Sequence, residues 1–588
     1  MTKLKKKKSK KRTNRTFTLS EIADEDGFAE FRAAMKQLSA NLPGNKSKSS
    51  LRSILWGLPD SVIQSGKILG DLAVNKSGPP KLTELIEVDS IYERPNLTDA
   101  LELLVVVAAL ARSIPKINPN DVSRFLESIN RFVLQGDPVL FEEDPIVHQI
   151  LYGEIPLTVG IHFPLIEIAD ELVFEGKSQL ILAIEELLDG DGLPNAKYLS
   201  LTGLLLSCWT RCCLLCDNDN RECLDVDAET QFEFFVRQMM RLIRRDGTLV
   251  FSEDNVDLRK PIQNALKCYF DEDDANIASV VFPKSAKQGA AKQGSAKNGK
   301  AKKVSLNSLP ESSAYSEWGE VACLQTEWLP DSPKLTLAFQ GRKLLAELST
   351  SRVLFSGEIR NRFFVDDRPR EVVSDWELVC WHSDQDGDFL ELECDLEGDA
   401  KWQKHFLLAR NELFCLTGDV LLDRSGESTR LEGQWPLGQD MGFGAPKETR
   451  ELFLTHKAKT CASILPVSLS EWRSERSDSE LSITDGMMSY SKSGSGNNLY
   501  FPVVLDLDPK RCRKPLTWRQ LTVAEKLDIV PNAVASAFRV HVANQQWIIY
   551  RSMAETANRT FLGQNLNVEF FVGTLEEDGT SNEIISVN

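Results

Sequence analysis

Apolar residues return at helical spacing through the first half of the chain and at alternate positions through the second, so the sequence changes period once. Val122, Phe125, Leu126, Ile129, Phe132 and Val133 trace one face of a helix whose predicted cap is Asn120. Thr98 and Asp99 follow Pro95 and open an apolar helix that runs to Ile114, where Pro115 stops it. Further helices are predicted at about 165–174, 176–188, 198–216 and 228–244. Two similar turns, Asp191-Gly192-Leu193 and Asp246-Gly247-Thr248-Leu249, start 55 residues apart, a spacing that fits a helical-hairpin repeat. Beyond residue 310 the period falls to two. Lys334–Phe339, Phe389–Leu396, Leu413–Leu422 and Phe538–Ile549 alternate apolar with polar positions, and Asp386-Gly387, Glu397-Gly398-Asp399 and Arg424-Ser425-Gly426 supply turns between strands.

These patterns divide the chain into four parts. Residues 1–50, poor in large apolar groups except Phe17, Ile22, Phe28 and Phe31, read as a basic structureless tail with one short helix. Residues 51–282 read as a helical domain, and 283–309, with its AKQGA, AKQGS, AKNGK repeat, as a low-complexity linker. Residues 310–588 read as an antiparallel β domain, which holds nine of the 11 tryptophans.

Charge sharpens this division. The chain of 588 residues has a formal charge of −17, yet residues 1–16 carry nine basic side chains and 284–303 carry seven lysines, neither with an acid. Setting those sixteen charges aside leaves −33 on the remainder, so the body is acidic and its two attachments basic. The tail is therefore expected to make nonspecific contacts with polyanions through charge neutralisation. The longest apolar run, Ala100–Ala111, is short of the roughly 20 residues that cross a bilayer, so no membrane span is expected. No apolar segment of the export type follows the basic start, which predicts a cytoplasmic protein. Cys208, Cys212 and Cys216 share one helix face and read as small core hydrophobes, since the histidine nearest in sequence is His162. Unpaired thiols agree with a reducing compartment. No phosphate loop and no serine nucleophile elbow is present.

Several segments carry a family likeness. LYGEIPLTVGIHFPL (151–165), ELLDGDGLPNAKYLSL (186–201) and FVRQMMRLIRRDGTLVFS (235–252) resemble the toroid of bacterial heparinase II/III-like proteins. EWGEVACLQTEW (317–328), WELVCWHSDQDGDFLELECDLEG (376–398), WQKHFLLARNELFCLTGDVLL (402–422) and RTFLGQNLNVEFFVG (559–573) resemble strands of that family's C-terminal sandwich. The likeness implies an α+β multidomain chain, an N-terminal helical (α/α) toroid followed by a C-terminal antiparallel β-sandwich. It also implies cleavage of a uronate-containing acidic polysaccharide or oligosaccharide by β-elimination, and by family habit a periplasmic alternative to the cytoplasmic expectation.

A lyase of this kind must neutralise the uronate carboxylate, remove the C5 proton and protonate the leaving oxygen. Asn195 and Tyr198, after the Asp-Gly-Leu-Pro turn at a helix start, are candidates for these tasks, although the residues read more simply as a turn or cap asparagine and a partly buried aromatic. His162, among Ile161, Phe163 and Pro164, is a second base candidate or a core histidine. His405, on the strand face opposite Phe406, is the sandwich candidate. Trp381 and Trp402 are candidates for stacking on sugar rings, and Arg241 and Arg245, with Arg244, for binding an acidic substrate. The family implies zinc in the β domain, for which His382, His405 and Asp395 form the only assembled ligand set. One departure favours an alternative. The Asn-His pair of active relatives has no counterpart, since His148 and His162 both lack a preceding Asn. A catalytically inactive glycan-binding or scaffold protein that retains the fold would tolerate that loss.

Overall fold

The computed structural model describes residues 15–39, 51–74, 86–113, 117–269, 271–282, 305–423 and 428–588. The tail positions 1–14, the linker positions 283–304, Ile114 with Pro115, and the Arg424-Ser425-Gly426 turn lie outside the described residues. Two compact units are present. The first comprises residues 1–192, 201–236 and 254–270, the second 193–200, 237–253 and 271–588.

The first unit is helical. Residues 15–39, expected to hold one short helix within a structureless tail, form two helices, Leu19–Ala23 and Glu25–Ser39. Phe17, Ile22, Phe28 and Phe31 bury themselves together, and Phe17 pairs through its backbone with Leu165 and Glu167. Four apolar side chains thus anchor what charge alone marked as solvated. The helix Pro119–Gln135 buries the six-residue face predicted for it save Phe132, which is half-buried and stacks on Tyr92. Its cap is Asn118, not Asn120, because Pro119 has no N–H to lose and so takes the first helical position. The two helices expected at 165–174 and 176–188 are one, Ala169–Leu187, running straight through Gly176. That glycine serves close packing. A Cβ there would lie 2.7 Å from the Gly153 carbonyl oxygen and 2.9 Å from the Leu157 nitrogen.

Gln149–Glu154 is a π-helical insert between Pro145–His148 and Ile155–His162. Both of its polar ends reach the helix Thr202–Asp219. Gln149 Oε1 accepts from Trp209 Nε1 at 3.1 Å, and Glu154 holds Arg211 through two bonds of 2.7 Å, all within the core. With the turn before it, Ala196–Asp219 is the only described helical stretch apolar and long enough to cross a bilayer. Leu205, Leu206, Cys208, Trp209, Cys212 and Cys216 are buried along it, so it is a core helix, and the three cysteines pack as the sequence predicts.

The second unit is built on an eight-stranded antiparallel sheet. Its strands lie in the order Gly442–Gly444, Leu452–His456, Lys459–Leu465, Asn498–Asp506, Phe414–Leu422, Ala400–Ala409, Gly387–Leu396 and Glu377–Ser383. Both faces are covered. On one, Leu390, Trp402, Phe406 and Leu408 pack with residues of the strands Val321–Gln325, Lys334–Ala338, Leu345–Ser349 and Ser428–Pro436. On the other, Phe389, Leu407, Phe414 and Leu416 pack with Trp518, Phe538, Trp547 and Phe570 of the later sheet. A strand with two buried faces still alternates in composition here, because its polar positions are paired inside. The run Phe538–Ile549, expected as one strand, is a hairpin of Ala535–Val542 and Gln545–Ser552. The turn is Ala543-Asn544, with Ala543 at φ 56°, a conformation that Gly or Asn usually takes, so its first position gave no signal and Asn544 alone marks it.

Candidate functional site

Within the second unit the segment 193–200 docks against the turn 316–320. Asn195 Nδ2 donates to the Trp318 carbonyl at 3.0 Å, Asn195 Oδ1 accepts from the Lys197 backbone N–H at 3.0 Å, and the Ala196 N–H donates to Gly319 at 2.7 Å. The approach requires a glycine at 319, where a Cβ would stand 2.8 Å from Ser316 Oγ and 3.1 Å from the Pro194 carbonyl. Tyr198 is half-buried and its ring lies 5.0 Å from Lys197 Nζ. The Trp318 side chain is 51% exposed on the adjoining turn. An amide with one uncommitted N–H, a phenol, a cation and an open indole therefore occupy one surface. That set can bind a carboxylate and pack against the C–H face of a pyranose ring.

Asn195 and Tyr198 are neighbours, the Tyr198 N–H donating to the Asn195 carbonyl at 2.9 Å. His405 is not with them. It is 0% exposed, its Nε2 lies 3.1 Å from the Tyr500 hydroxyl, and the rings of Phe389, Tyr500 and Phe570 surround it. Gly418 pairs with it across the sheet, where a Cβ would come within 2.4 Å of its Nε2. Burial, then the positive charges of Arg551 and Lys404, push its pKa well below the ordinary 6.5, so it is a neutral core imidazole. The strand does present it opposite Phe406, but the second cover sheet closes that face. Trp402 is corrected on the same ground. It is 3% exposed, donates from Nε1 to Asp419 at 3.0 Å and packs on Phe363 and Trp376, so no sugar can reach it. Trp381 is half-buried and stacked on Tyr315 with ring centres 5.3 Å apart.

Arg241 lies in the last turn of the helix Val226–Leu242 and Arg245 in the turn beyond it, and their surroundings differ. Arg241 is buried over the Trp328 ring and donates to the carbonyls of Ser312 and Glu311 and to Gln238 Oε1. Burial lowers its pKa to about 10, and its charge is spent holding the chain together. Arg244 is held by Glu347 through two bonds of 2.7 Å. Arg245 is open, its side chain 54% exposed with Asp331 at 2.7 Å. His162, half-buried, ends the helix Ile155–His162 of the first unit.

The zinc set does not gather. His382 is exposed and contacts Asp384 at 3.1 Å, while His405 pairs with Glu391 and Lys401 with Asp395, both between the strands Ala400–Ala409 and Gly387–Leu396. Glu391 and Asp395 are four residues apart, about 13 Å along a strand. Within the helical unit Glu154, Cys208 and Cys212 bring potential ligand atoms within 4.8 Å of one another, but Arg211 already occupies both carboxylate oxygens. That group is a core clamp.

Sequence reasoning missed Trp318 and the buried Lys334. Trp318 carried a readable signal, since it sits between Glu317 and Gly319 in a turn, whereas Trp402 sits in a strand. Lys334 gave none, because a lysine at a polar strand position ordinarily faces water.

No protein-family model and no curated protein sequence matches the chain. Solved structures do. A heparinase III aligns over 80% of this chain and 78% of its own, with a TM-score of 0.54 and 10% identity. The heparan sulfate lyase HepC from Pedobacter heparinus aligns over 91% and 81%, with a TM-score of 0.52 and 12% identity. Another heparinase III aligns over 79% and 78%, with a TM-score of 0.52 and 10% identity. A helical region followed by antiparallel β sheets is the architecture these proteins share with the chain, and its fold is that of heparinase III.

Proposed function

We propose that the chain acts on a uronate-containing acidic polysaccharide or oligosaccharide by β-elimination. The fold likeness, which spans 79% to 91% of the chain in heparinase III and heparan sulfate lyase structures, carries this reading. In it, Asn195 and Lys197 neutralise the uronate carboxylate, which makes the C5 proton acidic. Tyr198, as its phenolate, takes that proton and returns it to the leaving glycosidic oxygen. The C5–H electron pair forms the C4=C5 bond as the C4–O bond breaks, so one phenol closes the proton balance. Trp318 supplies a stacking face. The twelve unpaired cysteines support a reducing compartment as the place of work.

Incubation of the purified protein with heparan sulfate, chondroitin sulfate and alginate tests the reading through the ultraviolet absorbance of the unsaturated uronate. We expect product from one of the three and a loss of at least a hundredfold in rate with Tyr198→Phe, whose fold is unchanged. Absence of product from all three removes cleavage. A second reading, a glycan-binding protein that no longer cleaves, is favoured by the sealed, neutral His405 and by the missing Asn-His pair. It predicts retention of the protein on immobilised heparan sulfate without any product.

A further inference from the structure

Within the second unit, between the central eight-stranded sheet and one of its covers, lies a sealed polar cluster that the glycan reading does not use. Lys404 of the strand Ala400–Ala409 and Asp419 of the strand Phe414–Leu422 are direct cross-strand partners. Their side chains are each 2% exposed, and Lys404 Nζ lies 2.9 Å from Asp419 Oδ2. The same Nζ is 5.3 Å from the ring centre of Phe406 and 5.9 Å from that of Tyr490. Three further donors converge on the carboxyl group. Trp402 Nε1 and Asn361 Nδ2 both donate to Oδ1, at 3.0 and 2.8 Å, whereas the Tyr490 hydroxyl donates to Oδ2 at 2.7 Å. Asn361 and Tyr490 pair with Gly433 from the two strands beside it in the covering sheet. A Cβ at Gly433 would stand 2.5 Å from the Tyr490 hydroxyl, so that position is bare where the phenol crosses it.

A buried ion pair needs its charges matched, and the asymmetry here goes further. One carboxyl oxygen faces two N–H donors, as a developing oxyanion would, and the other faces an amine and a phenol. Burial, then the charge of Asp419, raises the Tyr490 pKa well above 10, so the phenol holds a proton to give. We propose that Lys404 and Asp419 condense into an intramolecular amide, a covalent cross-link between two strands of the central sheet. A proton of Nζ first passes to Oδ2, which leaves a neutral amine beside a carboxylic acid. The Nζ lone pair then forms the N–Cγ bond, and the C=O electron pair moves onto Oδ1, where Trp402 and Asn361 hold it. As the C=O bond re-forms and the Cγ–Oδ2 bond breaks, Tyr490 protonates the departing hydroxyl and takes back the surplus proton of Nζ. One water leaves, the amide keeps one N–H, and no oxidant or cofactor enters. The surrounding side chains exclude the water that would reverse the step. The cross-link requires neither a glycan nor cleavage of one.

Mass spectrometry of the denatured full-length protein tests this. We expect a mass lighter than that of the sequence by one water. Succinimide formation at an Asp-Gly pair such as Asp386-Gly387 also loses water, so the position decides. Trypsin should fail to cut after Lys404 and should release residues 402–410 joined to residues 411–424 as one branched peptide. Tyr490→Phe keeps the ring that stacks on Phe501 and loses the proton donor. Its cross-linking should be slowed about tenfold or more, so that the newly purified variant carries the full mass of its sequence. A parent protein of full sequence mass, or recovery of residues 402–404 and 411–424 as separate linear peptides, overturns the proposal. So does a cross-link that forms in Tyr490→Phe as fast as in the parent.

Discussion

His148 and His405 show how little a residue's chemistry says without its surroundings. Both are buried, and each leaves its Nδ1 without a partner among the described residues. Burial lowers the His148 pKa from 6.5 to about 4, with Asp137 opposing the shift. The folded protein therefore binds this proton less readily than the unfolded chain does between pH 6.5 and 4. Its contribution is complete above 6.5 and is lost as the pH falls towards 4, a loss on the order of 3 kcal/mol. We expect His148→Phe, which keeps the ring contacts to Phe141 and Tyr152, to flatten the fall in urea stability between pH 7 and 4.5. An equally steep fall in the variant would mean that other groups set the acid limit. The closeness of Asn195 and Tyr198, the Tyr198 N–H bonded to the Asn195 carbonyl at 2.9 Å, was legible in the sequence because both follow one turn signal. Trp402 and His405 were misread because the pattern of a strand tells which face a residue is on, but not whether that face is covered.

At the scale of elements, periodicity found the helices and strands and misjudged their joints. Gly176 looked like a break between two helices and is a contact point within one. The opposite happened at Ala543-Asn544, where a chain reversal is marked by a single asparagine inside an otherwise alternating run. Gly176→Ala separates the two roles of a helical glycine. Intrinsic propensity favours alanine by about 1 kcal/mol. A Cβ set against the backbone of Gly153 and Leu157 must instead push the two helices apart, an overpacking cost of about 1–3 kcal/mol. We expect a net destabilisation of roughly 1–2 kcal/mol in the first unit's unfolding transition, given that neither obstacle is a flexible side chain. A variant more stable than the parent would show that the helices are free to separate there. The π-helical insert Gln149–Glu154 was equally silent in the sequence, since its extra residue alters hydrogen bonding without altering composition.

For the whole molecule, the charge that counts is local. An acidic body of −33 would repel the proposed acidic glycan at long range, so in that reading its capture rests on cationic points such as Lys197 and Arg245 and on the basic residues 1–16. Removal of residues 1–16 is expected to weaken retention on heparan sulfate at low salt and to flatten its dependence on salt. Unchanged salt dependence would show that the folded units alone supply the cations. The architecture itself was legible because two periods, one per half, survive averaging over many residues. The layering of the β region was not, because it depends on packing between sheets far apart in sequence, as where Phe389 stacks on Phe570.

That layering bears on how the protein is made. The central sheet is complete once residue 506 has been synthesised, but one of its faces waits for strands that begin at Leu516. Until those strands emerge, Phe389, Leu407, Phe414, Leu416, Val420 and Val504 form a bare apolar wall. The nascent chain must then either delay closing its central sheet or have that wall shielded by a chaperone, and a ribosome stalled between the two sheets would release an aggregation-prone product.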